Sequence, residues 1–306
     1  MSAFARRGID ELLDELAAEL DDAGLQGSFL VRDLRTGEEI GIDEQLELPM
    51  ASLVKVPLAA ATLDGIRRGR LDGAERLRIE PGRVRTPGPT GVTRFRHAAD
   101  IALDDALYLS VALSDGATTD ALFARTPPAE VHAALAECGI EGVAVRTTVG
   151  ELVETPAERL HGPDGDLAHT IAIEAGTAGG GHRIPPLDTS RTNAASARAL
   201  ADLLTELWAP RRMDGEVAAR VRELMADNVH RQRLAPDLAT DSARRSSKTG
   251  TLLTLRHEMG VAEHDDRDRF AVVALTRSRV AAVQQPRAEA TMADVARRLR
   301  DALRVG

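Results

Sequence analysis

Of the 39 Lys and Arg residues in this 306-residue chain, only Lys55 and Lys248 are lysine. At a solvated surface the two side chains are nearly equivalent. They differ where a proton must leave, because a guanidinium stays charged and an ε-ammonium can become a base. A chain that uses arginine everywhere else marks these two positions as places that need an amine. Lys55 lies three residues after Ser52 in Ser52-Leu53-Val54-Lys55. Positions i and i+3 share a helix face, so hydroxyl and amine can meet. A serine near a helix N-terminus gains an amine to take its proton and N–H groups that favour developing negative charge. Lys248 opens Lys248-Thr249-Gly250-Thr251, just before the apolar alternation of a strand. There Gly250 lets a substrate backbone lie close to the strand. A second hydroxyl stands in Ser114-Asp115-Gly116, after the apolar run 107–113 and before a helical segment. It can cap that helix or serve as a proton relay between the lysines.

These residues need elements to hold them. Ile9, Leu12, Leu13, Leu16 and Leu20 recur at helical spacing over residues 9–22. Residues 27–43 read as a hairpin turning near Gly37, and 52–68 as a helix. A Pro- and Gly-rich loop spans about 81–91. Helical patterns follow at 100–124, 128–138 and 194–208. Between them, 150–190 lacks regular patterning, and a loop of that length in a compact domain is usually functional. Strand patterns return at 251–263 and 269–277, and a helix covers 286–304. Strands at both ends and helices between predict a sheet domain built from residues 1–60 and 225–306. A helical domain, 61–224, is then inserted, with a cleft at the junction.

Composition excludes several classes. A net charge of −9 argues against nucleic acid or anionic membrane as partner. No stretch is long and apolar enough to span a bilayer. Met1 to Asp10 has no apolar leader segment, so the expectation is a cytoplasmic protein, or a secreted one if a leader has been removed. The single cysteine, Cys138, precludes an intrachain disulfide and reads as small packing. His161, His169 and His182 have no metal-ligand spacing. No metal or cofactor is expected, and the chain is expected to act as a monomer.

In their order, the three motifs resemble those of the class A β-lactamases and related penicillin-binding proteins, which carry S-x-x-K, S-D-N and K-T-G. The resemblance covers nearly the whole chain and includes Leu187-Asp188-Thr189-Ser190, similar to the segment that closes the family's Ω-loop. It implies an α+β, β-lactamase/transpeptidase-like fold: an antiparallel sheet flanked by terminal helices, with an all-α subdomain inserted. It also implies a small-molecule substrate, a β-lactam or related amide or ester. Ser52 would be the acyl-accepting nucleophile, Lys55 its base and Ser114 the shuttle toward the leaving nitrogen. Lys248 would hold Ser114 and a substrate carboxylate. Gly116, Thr249, Gly250 and Thr251 would line the substrate, with Arg256 assisting its carboxylate. The N–H groups of Ser52 and Thr251 would form an oxyanion hole.

Three departures stand out. Gly116 replaces the family's Asn. The interval from Ser114 to Lys248 is long, with the excess in 150–190. The family's deacylating Glu has no clean match, Glu151 being nearest by spacing and Glu154, Glu158 and Glu174 its rivals. Acylation needs only the serines and lysines, whereas release of the acyl group needs a positioned water and a base. Alternatives therefore stay open: an esterase, a D-amino-acid peptidase with weak β-lactamase activity, or a catalytically impaired β-lactam-binding domain.

Overall fold

The structure is a computed structural model that describes residues 3–82, 90–152, 155–160, 167–177, 181–238, 243–264 and 268–305. Helix α1 (Ala3–Asp22) leads into β1 (Leu25–Asp33), β2 (Glu39–Ile42) and β3 (Leu48–Pro49). A 3₁₀ turn, Ala51–Val54, then enters α2 (Lys55–Arg67). Strands β4 (Arg76–Ile79) and β5 (Ala99–Ala102) pair with each other. They precede α3 (Leu103–Ala112), α4 (Gly116–Phe123) and α5 (Pro128–Glu137). Strand β6 (Val143–Ala144) and the short helices α6 (Val149–Leu152), α7 (Pro156–Arg159) and α8 (Leu167–Glu174) follow. Next come β7 (Ala194–Ala195), α9 (Ala197–Trp208), α10 (Gly215–Ala226) and α11 (Ala235–Leu238). The chain closes with β8 (Ala243–Leu252), β9 (Leu255–His264), β10 (Arg269–Ser278) and α12 (Pro286–Val305).

Five strands form one antiparallel sheet in the order β2-β1-β10-β9-β8. Side chains alternate between its faces. Phe29, Val31, Phe270 and Val272 meet Leu16 and Leu20 of α1 and Met292 and Leu299 of α12. Leu30, Val261, Val273 and Leu275 join Leu58, Leu107, Leu203 and Leu224 of the helical region in a single cluster. Burial on both faces makes β9 and β10 almost continuously apolar or enclosed. Each large aliphatic side chain buried there contributes roughly 1.5–3 kcal/mol. This is the β-lactamase/transpeptidase-like α+β fold that the resemblance implies.

Three local differences from the sequence expectation bear on the site. The 100–124 stretch is not one helix: it starts as β5 and breaks between α3 and α4 at Leu113–Asp115. Asp115 caps α4 by accepting from Ala117 N–H at 3.0 Å, which fixes the break. The apparent strand 251–263 is the end of β8 plus β9, joined through Leu253 at φ 47°. Lys248 therefore lies inside the edge strand β8 rather than ahead of a strand. Finally, the described residues of 150–190 include the short helices α6, α7 and α8 and a 3₁₀ turn at Pro185–Leu187, where no regular element was expected.

Candidate active site

Ser52 is presented by strained backbone. Ala51, buried just before it, has φ 47°. That region is costly for a residue with a Cβ and persists only where packing enforces it. Two anchors do so. The Met50 N–H donates to Asn193 O at 2.8 Å, and Leu48 and Pro49 pair with Ala195 and Ala194 of β7. A third anchor comes from the sheet: His257 Nε2 donates to Pro49 O at 2.9 Å, while its Nδ1 accepts from Thr276 N–H. These contacts fix the tautomer. Burial pushes the His257 pKa down to about 3, so the ring is neutral.

Gly250 shows how closely β8 approaches this turn. A Cβ there would lie 2.9 Å from Met50 O and 3.2 Å from Leu53 Cγ. The Ser52 turn is thus itself a neighbour that demands glycine here. Gly116 is different. A Cβ there would make only ordinary contact, 3.6 Å from Val149 Cγ1 and 3.7 Å from Thr93 Oγ1.

Ser114 sits at φ 62° in the break between α3 and α4. Both lysines converge on it. Lys55 Nζ donates to Ser114 O at 2.6 Å and to Ser114 Oγ at 3.2 Å. Lys248 Nζ donates to the same Oγ at 3.0 Å and to Thr249 O at 3.0 Å. Both lysines are buried. Burial lowers the Lys55 pKa to about 8, while Asp115 and Asp120 favour its charged form. Lys248 is pushed well below the usual lysine range by burial and by the Lys55 charge. Amines depressed in this way can exchange protons with a hydroxyl near neutral pH. Ser52, three residues before Lys55 in the chain, is partly exposed.

Asp115 secures the Ser114 turn. Its carboxylate accepts from Val92 N–H, Thr93 N–H, the Thr93 hydroxyl and Ala117 N–H. Behind β8 stands Arg233, which sequence gave no reason to select. Its Nη1 donates to Gly250 O at 2.9 Å and His257 O at 2.8 Å, its Nη2 to Thr251 Oγ1 at 2.7 Å, and its Nε to Glu289 Oε1 at 2.9 Å. It clamps the β8–β9 pair at the level of Thr251, which is exposed at the strand end.

Arg256 does not fit its expected role. It is buried, and its guanidinium donates to the carbonyls of Leu253, Leu255, Ala282 and Val283. Its hydrogen bonds hold the hairpin and the loop before α12, which leaves the side chain no reach toward a ligand. Thr249 is buried and pairs with Glu258.

The candidate deacylating carboxylates are also placed. Glu151 is exposed, and its Oε2 accepts from the Thr148 N–H and hydroxyl, a local helix cap. Glu174 is exposed on α8. Glu154 lies outside the described residues, and only the backbone of Glu158 is described. Elsewhere, His182 is committed to Ala172 O and Ile184 N–H, while His161 lies outside the described residues. Cys138 is half-buried against the core, with its thiol pKa raised by burial.

Comparison with known proteins bears on the family and the fold. The model of the β-lactamase enzyme family matches residues 11–303. A Streptomyces cacaoi protein named β-lactamase regulatory protein BlaB is 58% identical, over 96% of this chain and 98% of its own. A β-lactamase from Chitinophaga pinensis superposes with a TM-score of 0.75 at 17% identity, covering 96% of this chain and 99% of that one. PBP-A superposes with a TM-score of 0.74 at 17% identity, covering 97% of each chain. At such identities the two structures share the fold, and the family match spans nearly the whole sequence. The chain belongs to the β-lactamase enzyme family.

Proposed function

We propose that the protein forms an acyl-enzyme on Ser52 with a β-lactam or a related amide or ester, and that it releases the acyl group by hydrolysis. The observation that carries this reading is the pair of buried amines on Ser114 Oγ, next to the Ser52 turn. In the forward step neutral Lys55 takes the Ser52 proton as Oγ attacks the carbonyl carbon. The C–N bond then breaks. Ser114 gives its proton to the leaving nitrogen and regains one from Lys55, so charge and protons balance. The N–H groups of Ser52 and Thr251 stabilise the oxyanion. Lys248 supplies positive charge for a substrate carboxylate, and Gly116 and Thr249 to Thr251 line the substrate.

A second reading is a β-lactam-binding regulatory domain whose acyl group stays in place. Two observations favour it: the 58% identical relative is named a regulatory protein, and Glu151 is turned back onto Thr148. Labelling with a fluorescent penicillin, followed over time, tests both. Label on the wild type and none on Ser52→Ala supports acylation. Loss of label within minutes supports a hydrolase, and label that persists for hours supports the regulatory reading. Equal labelling of wild type and Ser52→Ala contradicts both.

A further inference from the structure

Asn193 is fully buried and stands one residue ahead of β7, the central strand of the small sheet β3-β7-β6. In that sheet Pro49 and Ala144 both pair with Ala194. Beyond those pairs, β3 runs into the Ser52 turn and β6 into the segment that leads to α6. Asn193 bonds to both. Its main-chain carbonyl accepts the Met50 N–H at 2.8 Å. Its side-chain Oδ1 accepts the N–H groups of Arg146 at 2.7 Å and Thr147 at 2.9 Å, and its Nδ2 donates to Thr147 O at 3.0 Å.

The amide therefore offers Thr147 the donor and the acceptor that a paired residue of an antiparallel strand would offer. Asparagine suits this place because it carries both functions at the right length. An ionised aspartate has acceptors only and nothing to give Thr147 O. Alanine takes away all three side-chain bonds. Arg146 tightens the same clasp, its Nη1 donating to Thr192 O at 2.9 Å and Thr189 O at 3.2 Å.

The two ends of this clasp differ in what they carry. Met50 precedes Ala51, whose φ of 47° is held only by its surroundings, so the place of Ser52 depends on what holds Met50. The other end leads to Val149, whose Cγ1 lies 3.6 Å from where a Cβ would sit on Gly116. The segment anchored by the side chain thus reaches the start of α4.

We propose that Asn193 is a positioning residue for Ser52: its amide anchors residues 146–147 while its carbonyl anchors Met50, so that the α6 segment and the nucleophile turn move as one body. The inference rests on the reading of Ser52 as the acyl acceptor. Asn193→Ala removes the amide. Thr192→Val is the control, since the buried Thr192 hydroxyl has no hydrogen-bond partner among the described residues. Two measurements are made on each protein. Backbone hydrogen exchange is followed by mass spectrometry in peptides covering residues 46–54 and 143–150. Acylation by benzylpenicillin is followed to saturation, which separates the rate constant from the half-saturating concentration, and the final label counts the competent chains.

In Asn193→Ala exchange is expected to rise in both peptides. The saturating acylation rate constant should fall about 10- to 100-fold, the scale of a small misplacement of a reacting atom, with little change in half-saturation. Thr192→Val should match the wild type in both measurements. A role in folding alone would lower the final label and leave the rate constant unchanged. Should Asn193→Ala fail to fold, Asn193→Asp keeps the acceptors for Arg146 and Thr147, loses only the donor, and carries the same two measurements. An unchanged rate constant, or exchange that rises at 143–150 and not at 46–54, overturns the proposal. A wild type that takes up no label would instead overturn the reading of Ser52, and exchange at 46–54 would still decide the role of Asn193.

Discussion

Lys248 and Ser114 are 134 positions apart in the chain, yet Lys248 Nζ donates to Ser114 Oγ at 3.0 Å. That bond joins the edge strand of the sheet to the break between two helices. With Lys55 on the same hydroxyl, it draws two amines into one buried place. Such an arrangement costs stability and is understandable only if the amines have work to do.

Lys248→Met is therefore expected to separate stability from activity. Removing a buried amine that faces Lys55 and Arg233 should leave the melting temperature unchanged or raised. Acylation should fall about 10²- to 10³-fold, the usual worth of a single preorganised electrostatic group in an active site. A thermal melt beside a stopped-flow acylation rate checks both. A large drop in melting temperature would show that Lys248 is chiefly structural.

The two site glycines should respond in opposite ways. Gly250→Ala forces a Cβ to within 2.9 Å of Met50 O, so the Ser52 turn must shift and acylation should be largely lost. A Cβ at Gly116 makes only ordinary contact with Val149 and Thr93, so Gly116→Asn should fold normally. Its amide would face the substrate and change relative rates among β-lactams. Melting curves and acylation rates for a small panel of penicillins and cephalosporins measure the contrast.

Arg233→Ala should be among the more damaging single changes. It removes a donor from the Gly250 and His257 carbonyls and leaves Glu289 without its buried cation. Breaking a buried ion pair from one side costs about 3–5 kcal/mol. Urea unfolding gives the number, and a loss below about 1 kcal/mol would mean that solvent replaces the clamp.

His257 sets an acid limit. Its folded pKa is about 3, below the ordinary value of about 6.5 for an unfolded chain. The unfolded state therefore binds the extra proton first as pH falls. Stability from the neutral ring is fully present above about pH 6.5 and is lost as pH drops toward about 3. In His257→Gln the decline in unfolding free energy across that window should be shallower than in wild type, by up to about 1.4 kcal/mol per pH unit. Equal slopes would place the acid sensitivity elsewhere.

The meeting of Lys55 and Lys248 on Ser114 was legible because lysine is scarce in this chain and each motif is local. The terminal helices and β10 were legible from their apolar spacing. β8 was not, because Arg245, Ser246, Ser247, Lys248 and Thr249 are polar yet buried, which conceals the alternation of a strand. Arg233 was illegible for a simpler reason: it is one arginine among many, and its value comes from the two carbonyls that tertiary packing brings to it. Arg256 misled for the converse reason, since proximity to the motif in sequence said nothing of the four carbonyls that capture it. His257 acquires its role only when Pro49 is folded against it.

The central claim is that Ser52 accepts an acyl group with the help of Lys55 and Ser114. Intact-mass measurement after incubation with benzylpenicillin, followed by peptide mapping, tests it most directly. The account predicts one added penicilloyl group per chain, mapped to Ser52, absent in Ser52→Ala and formed far more slowly in Lys55→Met. An unmodified wild-type chain, or an adduct on any residue other than Ser52, would contradict it.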